Sequence, residues 1–115
     1  MPESRPQKLL TAALALLLGG AGPIVSVRGG DHDGYSRVVF VLPPGRIFTS
    51  QRLGNLLILS FPDAGQVPGL AQAPTHILSV QGGVNQAALG LPPGTQARIW
   101  RIDQRVIVDV FAPPP

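Results

Sequence analysis

The chain contains no cysteine. It must therefore hold itself together by packing and hydrogen bonding alone, even in an oxidising compartment. Charge is also scarce, at 13% of 115 residues. Beyond residue 21 there is no lysine and no glutamate, and seven arginines stand against five aspartates, a net charge of about +2. That bias is too small for a nucleic-acid face, which needs dense Lys/Arg clustering, although weak contact with an anionic polymer stays open. Only two histidines occur. Ser26, Ser36, Ser50, Ser60 and Ser79 offer hydroxyls, but none lies in a nucleophile elbow, and no glycine-rich phosphate loop opens a helix. These deficits predict a chain with no enzymatic activity, no cofactor and no metal.

A long apolar run is missing too. After Lys8 come about a dozen residues, LLTAALALLLGGAG, ending in small ones. A bilayer core of about 30 Å takes roughly 20 residues to cross, so the stretch is too short to span comfortably. A basic start, an apolar middle and a small-residue end predict a secretory signal peptide over residues 1–21. Cleavage after Ala21 follows from small Gly19 and Ala21 at the two required positions, with Pro23 disfavouring a cut after Gly22. The competing reading is an uncleaved membrane anchor or a disordered tail.

What the chain does have is a repetition. Residues 24–61 and 77–111 carry the same three blocks in the same order: IVSVRGG and ILSVQGG, VVFVLPPG and AALGLPPG, NLLILSF and RVIVDVF. The offset is 53 at Ile24/Ile77, 49 at Leu42/Leu91 and 50 at Phe61/Phe111. Offsets that change only between blocks imply four residues lost in one connection and one gained in the next, the way a duplicated unit diverges. Residues 62–75, PDAGQVPGLAQAPT, read as an exposed connection between the copies. Ala112-Pro113-Pro114-Pro115 reads as the start of a proline-rich linker or as a tail.

Short Val/Ile/Leu runs alternate with Gly, Pro, Asn and Asp clusters, which predicts strands near 24–28, 36–42, 46–52, 55–61, 76–81, 85–91, 95–102 and 105–111. With Arg37 outward, Val38, Phe40 and Leu42 point inward, as do Ala87, Leu89 and Leu91. With Asp109 outward, Val106, Val108 and Val110 point inward, and the 50-residue offset places Leu56, Ile58 and Ser60 beside them. The expectation is an all-β sandwich of two pseudo-symmetric four-stranded sheets, preceded by a signal-peptide helix, in which the two four-stranded units over residues 22–111 stack face to face.

Arg37, Val38, Val39 and Phe40, then Leu56, Ile58 and Phe61, then Val106, Val108 and Asp109 together resemble the AMIN domain. Those residues depart from the family pattern at Val41, where an acidic residue often follows. The resemblance implies a periplasmic β-sandwich of two pseudo-symmetric sheets, found at the N-terminal side of cell-wall amidases and pilus secretins. It further implies a targeting role through contact with peptidoglycan in the cell envelope, without catalysis.

Three groups of residues are candidates for a site. In Arg98-Ile99-Trp100-Arg101-Ile102, inward Ala97 and Ile99 place Arg98 and Trp100 on the outer face beside the strand that begins at Arg105. A flat aromatic beside forked guanidinium donors suits a sugar ring and its carboxylates or a peptide stem, so Arg98, Trp100, Arg101, Arg105 and Arg37 are the expected ligand-binding residues. The alternative is a tryptophan covering the core rim amid solvated arginines, and Arg28 stands under the same alternative. Leu57, Leu59 and Phe61 fall on the presumed outer face and form an apolar strip for protein contact, or lie under the 62–75 connection. Asp31-His32-Asp33 is the one cluster of titratable groups, a metal or acid–base set or else a surface turn. His76, alone at a strand start, serves packing or a cap. The expected partner is peptidoglycan. The alternative function is assembly within an envelope complex, by strand addition or through the apolar strip.

Overall fold

The structure is a computed structural model that describes residues 25–113. The expected signal segment and the last two prolines lie outside the described residues. Eight strands follow in chain order: β1 (Ser26–His32), β2 (Tyr35–Val41), β3 (Thr49–Leu53), β4 (Leu56–Ser60), β5 (Ser79–Gly83), β6 (Gln86–Gly90), β7 (Ala97–Ile102) and β8 (Arg105–Phe111). The described residues contain no helix, and the strands form two four-stranded antiparallel sheets, the sandwich expected from the alternating pattern.

The partition of strands between sheets differs from the expectation. Sheet 1 has the order β1-β2-β8-β7 and sheet 2 the order β3-β4-β6-β5. Each copy contributes one hairpin to each sheet, so neither copy forms a sheet by itself. The cause sits in the LPPG turns. In each, the residue after the glycine donates its N–H to the first proline's carbonyl: Arg46 to Pro43 and Thr95 to Pro92, both at 3.3 Å. The second proline sets φ for the turn and the glycine takes the left-handed position, at +78° for Gly45 and +79° for Gly94, a type II arrangement. Two consecutive prolines cannot extend a ladder, so the chain leaves the sheet there and crosses to the opposite one. Leu42 N–H then meets the Gln104 carbonyl at 2.7 Å, and Leu91 N–H meets that of Asn55 at 2.8 Å, the same bond made reciprocally by the two copies.

The ladder registers give the structural equivalence of the copies. Val38 pairs with Val108 and Phe40 with Val106 in sheet 1; Ala87 pairs with Leu59 and Leu89 with Leu57 in sheet 2. Leu59 therefore corresponds to Val108, and Phe61 to Val110, an offset of 49 and not the 50 that matched Phe61 with Phe111. No residue is gained in the second connection. A one-residue slip reverses every side chain of a strand. Leu57, Leu59 and Phe61 are accordingly core residues, 3%, 0% and 1% exposed, while Leu56 is 45% exposed. The expectation of an apolar outer strip at Leu57, Leu59 and Phe61 is thus corrected. Six apolar residues in LLILSFP leave the alternation without a phase, and pairing with β6 supplies it.

The remaining faces agree with the pattern. Val38, Phe40, Leu42, Ala87, Leu89, Leu91, Val106, Val108 and Val110 are all at or below 1% exposure. Phe40 and Phe61 meet across the seam with ring centres 5.3 Å apart. The four-residue difference at the first hairpin is also present. Relative to the second copy, β1 and β2 extend by the rungs Asp31–Ser36 and His32–Tyr35, so Asp31 and His32 belong to the ladder and only Asp33-Gly34 turns.

The 62–75 connection is packed. Val67 N–H and Leu70 N–H donate to the carbonyls of Gly83 and Val80 at 2.8 and 2.9 Å, which covers the β5 edge. A side chain at Gly82 would collide with the Val67 carbonyl. Leu70 and Pro74 meanwhile reach across to Gly29 of β1, closing that side of the sandwich over the core.

Candidate functional site

The outer face of sheet 1 carries most of the chemistry. Directly opposed residues in antiparallel strands share a face. Four rows result across β1-β2-β8-β7: His32–Tyr35–Phe111, Gly30–Arg37–Asp109–Arg98, Arg28–Val39–Ile107–Trp100 and Ser26–Val41–Arg105–Ile102.

Arg37 grips Asp109 through a fork, Nε to Oδ1 at 2.7 Å and Nη2 to Oδ2 at 2.9 Å. Asp109 is 4% exposed although it lies on the outward face, so its carboxylate depends on that partner. The hydrogen bond to Asp109 in turn pushes the Arg37 guanidinium above its ordinary pKa. The same guanidinium lies 5.4 Å from the centre of the Trp100 ring and 5.6 Å from that of Tyr35. Arg98, two residues before Trp100 on β7, sits 4.5 Å from its ring centre, and His32 stacks on Tyr35 at 4.9 Å with 11° between the planes. From the stacked rings of His32 and Tyr35 the string runs through Arg37 and Trp100 to Arg98, with one buried carboxylate beneath it.

Beside this string is a trough of about 600 Å³. Val39, Val41 and Ile107 line its floor, Arg28 and Arg105 flank it, and the β7–β8 turn at Asp103 and Gln104 closes one end. Arg28 and Arg105 are exposed, and neither has a carboxylate partner among the described residues.

Four of the five expected ligand-binding residues converge on this face: Arg37, Arg98, Trp100 and Arg105. Arg101 does not. It opposes Val106, on the inward side of β7, and donates from Nε to the Asp103 carbonyl at 2.7 Å and from Nη1 to the Arg46 carbonyl. Its counterpart Arg52 makes the matching pair, to the carbonyls of Gly54 at 2.9 Å and Thr95 at 3.2 Å. Alternation places Arg101 opposite to Arg98 and Trp100, and these two arginines clamp the crossover loops.

Sequence reasoning passed over Tyr35 and the pairing of Asp109 with Arg37. Tyr35 has the right period, two residues before Arg37 on the same strand. The Arg37–Asp109 pair had no local signal, because 72 residues separate its members.

The Asp31-His32-Asp33 cluster is divided in space. Asp31 accepts hydrogen bonds from Ser36 Oγ at 2.6 Å, Thr75 N–H at 2.9 Å and Thr75 Oγ1 at 2.7 Å. These bonds, that from Ser36 foremost, hold its carboxyl below the ordinary aspartate pKa. It fastens the end of the 62–75 connection to the β1–β2 hairpin, and His32 turns away to stack on Tyr35. The His76 N–H donates to Ser36 Oγ at 2.8 Å, part of the same junction. Among the described residues, no group of three or more His, Cys, Asp or Glu is placed to hold a metal ion.

Compared with protein-family models, curated proteins and solved structures, the chain matches none.

Proposed function

We propose that this chain is a non-catalytic, AMIN-like module exported to the periplasm, and that the outer face of sheet 1 contacts peptidoglycan to localise it in the cell envelope. A difference between two equivalent surfaces carries the reading. The pseudo-twofold that relates the copies maps the outer face of sheet 1 onto that of sheet 2. Arg28 corresponds to Gln81, Arg37 to Gln86, Arg98 to Thr49, Trp100 to Gln51, Arg105 to Leu56 and Asp109 to Ser60. Every charged position on one face is uncharged on the other. The same scaffold therefore forms without these charges, and folding alone does not account for them. Of the seven arginines beyond residue 21, four lie on this face; Arg52 and Arg101 clamp loops, and Arg46 donates to the Asp63 carbonyl at 3.0 Å.

A pull-down on purified peptidoglycan tests the reading. The chain is expected to co-sediment, and the triple variant Arg28→Gln, Arg98→Thr, Arg105→Leu, which copies sheet 2 onto sheet 1, is expected to stay in solution. Equal retention of both forms, or of neither beside a known binder, refutes it.

One observation favours a second reading, assembly by strand addition in an envelope complex. All five residues of β3 are exposed, and its outer edge has no partner strand among the described residues, whereas the β5 edge is covered by the connection. A proline at Ser50, whose N–H faces the open edge, would abolish such pairing and leave the sheet 1 face intact.

A further inference from the structure

We infer that the trough on sheet 1 takes a short extended peptide bearing two carboxylates, and not the sugar rings of a glycan. The inference rests on the reading that this face is the binding face, and it specifies the ligand class.

A sugar platform needs an aromatic face open to the pyranose ring. The two rings here already carry internal partners. Trp100 has the Arg98 and Arg37 guanidinium groups at 4.5 and 5.4 Å from its centre, and Tyr35 has the His32 ring stacked on it at 4.9 Å. The guanidinium groups over Trp100 and the imidazole ring on Tyr35 hold both rings within the protein's own network. The open recognition groups are the two guanidiniums at the trough's flanks, Arg28 and Arg105, which present planar donor forks suited to carboxylate.

Their placement sets a length. Arg28 is on β1 and Arg105 on β8, two strand spacings of roughly 4.8 Å across the sheet and one row of roughly 6.8 Å along it, so the two anchors stand about 12 Å apart. An extended peptide covers that distance in about three to four residues. The floor between the anchors is apolar, made by Val39, Val41 and Ile107, and it suits small aliphatic side chains where sugar hydroxyls would go unpaired. The 600 Å³ of the trough accommodates a ligand of that size.

Amide chemical shifts of the labelled chain would be followed during titration with four probes. These are N-acetyl-Glu-Ala-Ala with a free C-terminus, its uncharged analogue N-acetyl-Gln-Ala-Ala-amide, chitotetraose and tetragalacturonate. The diacid peptide is expected to shift amides of Val39, Val41 and Ile107 saturably. The uncharged analogue is expected to bind about tenfold or more weakly, because each forked pair is charge-assisted. Arg28→Gln and Arg105→Leu, which install the residues of the equivalent sheet 2 positions, are each expected to weaken the diacid by a similar factor with the fold unchanged. Saturable binding of chitotetraose at the same amides, insensitive to both variants, overturns the peptide assignment and leaves the binding face standing. Equal affinity for tetragalacturonate and the diacid overturns the apolar floor's role. If none of the four probes shifts amides on the outer face of sheet 1, the face and the inference fall together.

Discussion

Arg52 of β3 and Arg101 of β7 make the same two contacts from opposite halves of the molecule. Each donates Nε to a carbonyl in its own hairpin turn, Gly54 or Asp103, and a terminal nitrogen to a crossover loop of the other copy, Thr95 or Arg46. The sandwich has no disulfide among its described residues, and this reciprocal clamp ties the two crossovers together on the side away from the 62–75 connection.

Removing either clamp should therefore cost a similar amount. Arg52→Ala and Arg101→Ala are each expected to lower unfolding free energy by about 1 kcal/mol, as for a partly exposed charge-assisted hydrogen bond. Urea denaturation measures this. Arg101→Ala should leave ligand affinity unchanged, and a tenfold affinity loss at unaltered stability would contradict its role as a clamp.

The Arg37–Asp109 fork has a buried member, so single and double replacements should differ in kind. Arg37→Gln leaves the Asp109 carboxylate under the sheet surface without its partner, at a cost of about 2 to 3 kcal/mol. Adding Asp109→Ser, the residue at the equivalent position of sheet 2, should recover most of that loss. A double variant no more stable than the single one would show that the carboxylate is solvated by other means.

Leu59 and Leu56 are three residues apart and should differ sharply in their tolerance of substitution. Leu59→Ala opens a cavity in the core at about 3 kcal/mol. Leu56→Asp, on an exposed position, should stay within about 0.5 kcal/mol. Guanidinium unfolding of both variants decides between this register and the one-residue slip.

Asp31 makes the junction with Thr75 pH-dependent. Its folded pKa is depressed by accepted hydrogen bonds, so the stability it contributes is present above the unfolded value of 3.8 and is lost as pH falls through the lower folded value. The melting temperature of Asp31→Ala should lie below that of the parent at pH 6, and the gap should close as pH drops below 3.8. A gap independent of pH would mean that the carboxylate's charge plays no part in holding the connection.

Several features are local enough to be read from residue order. Val38, Phe40 and Leu42 alternate with Arg37 and so declare which side is buried, because a strand has a period of two. The LPPG turns declare a break in the ladder, since proline has no N–H to donate. Arg98 and Trp100 fall on one face for the same reason that Arg101 falls on the other. The repeat itself is visible because packed segments resist insertion.

Other features depend on what lies across the fold. The Leu56–Phe61 stretch is apolar on both faces and holds no phase of its own; only the ladder with β6 turns Leu57, Leu59 and Phe61 inward. Likewise each hairpin must choose a neighbour, and a preference for the other copy's hairpin is a property of the crossover geometry that no single segment contains. Residue order determined the strands, their turns and the repeat, whose signals span a few neighbours. Tertiary structure decided the pairing of Arg37 with Asp109, the exchange of hairpins and the gathering of four arginines on one face, since those contacts form only when segments far apart in the chain meet.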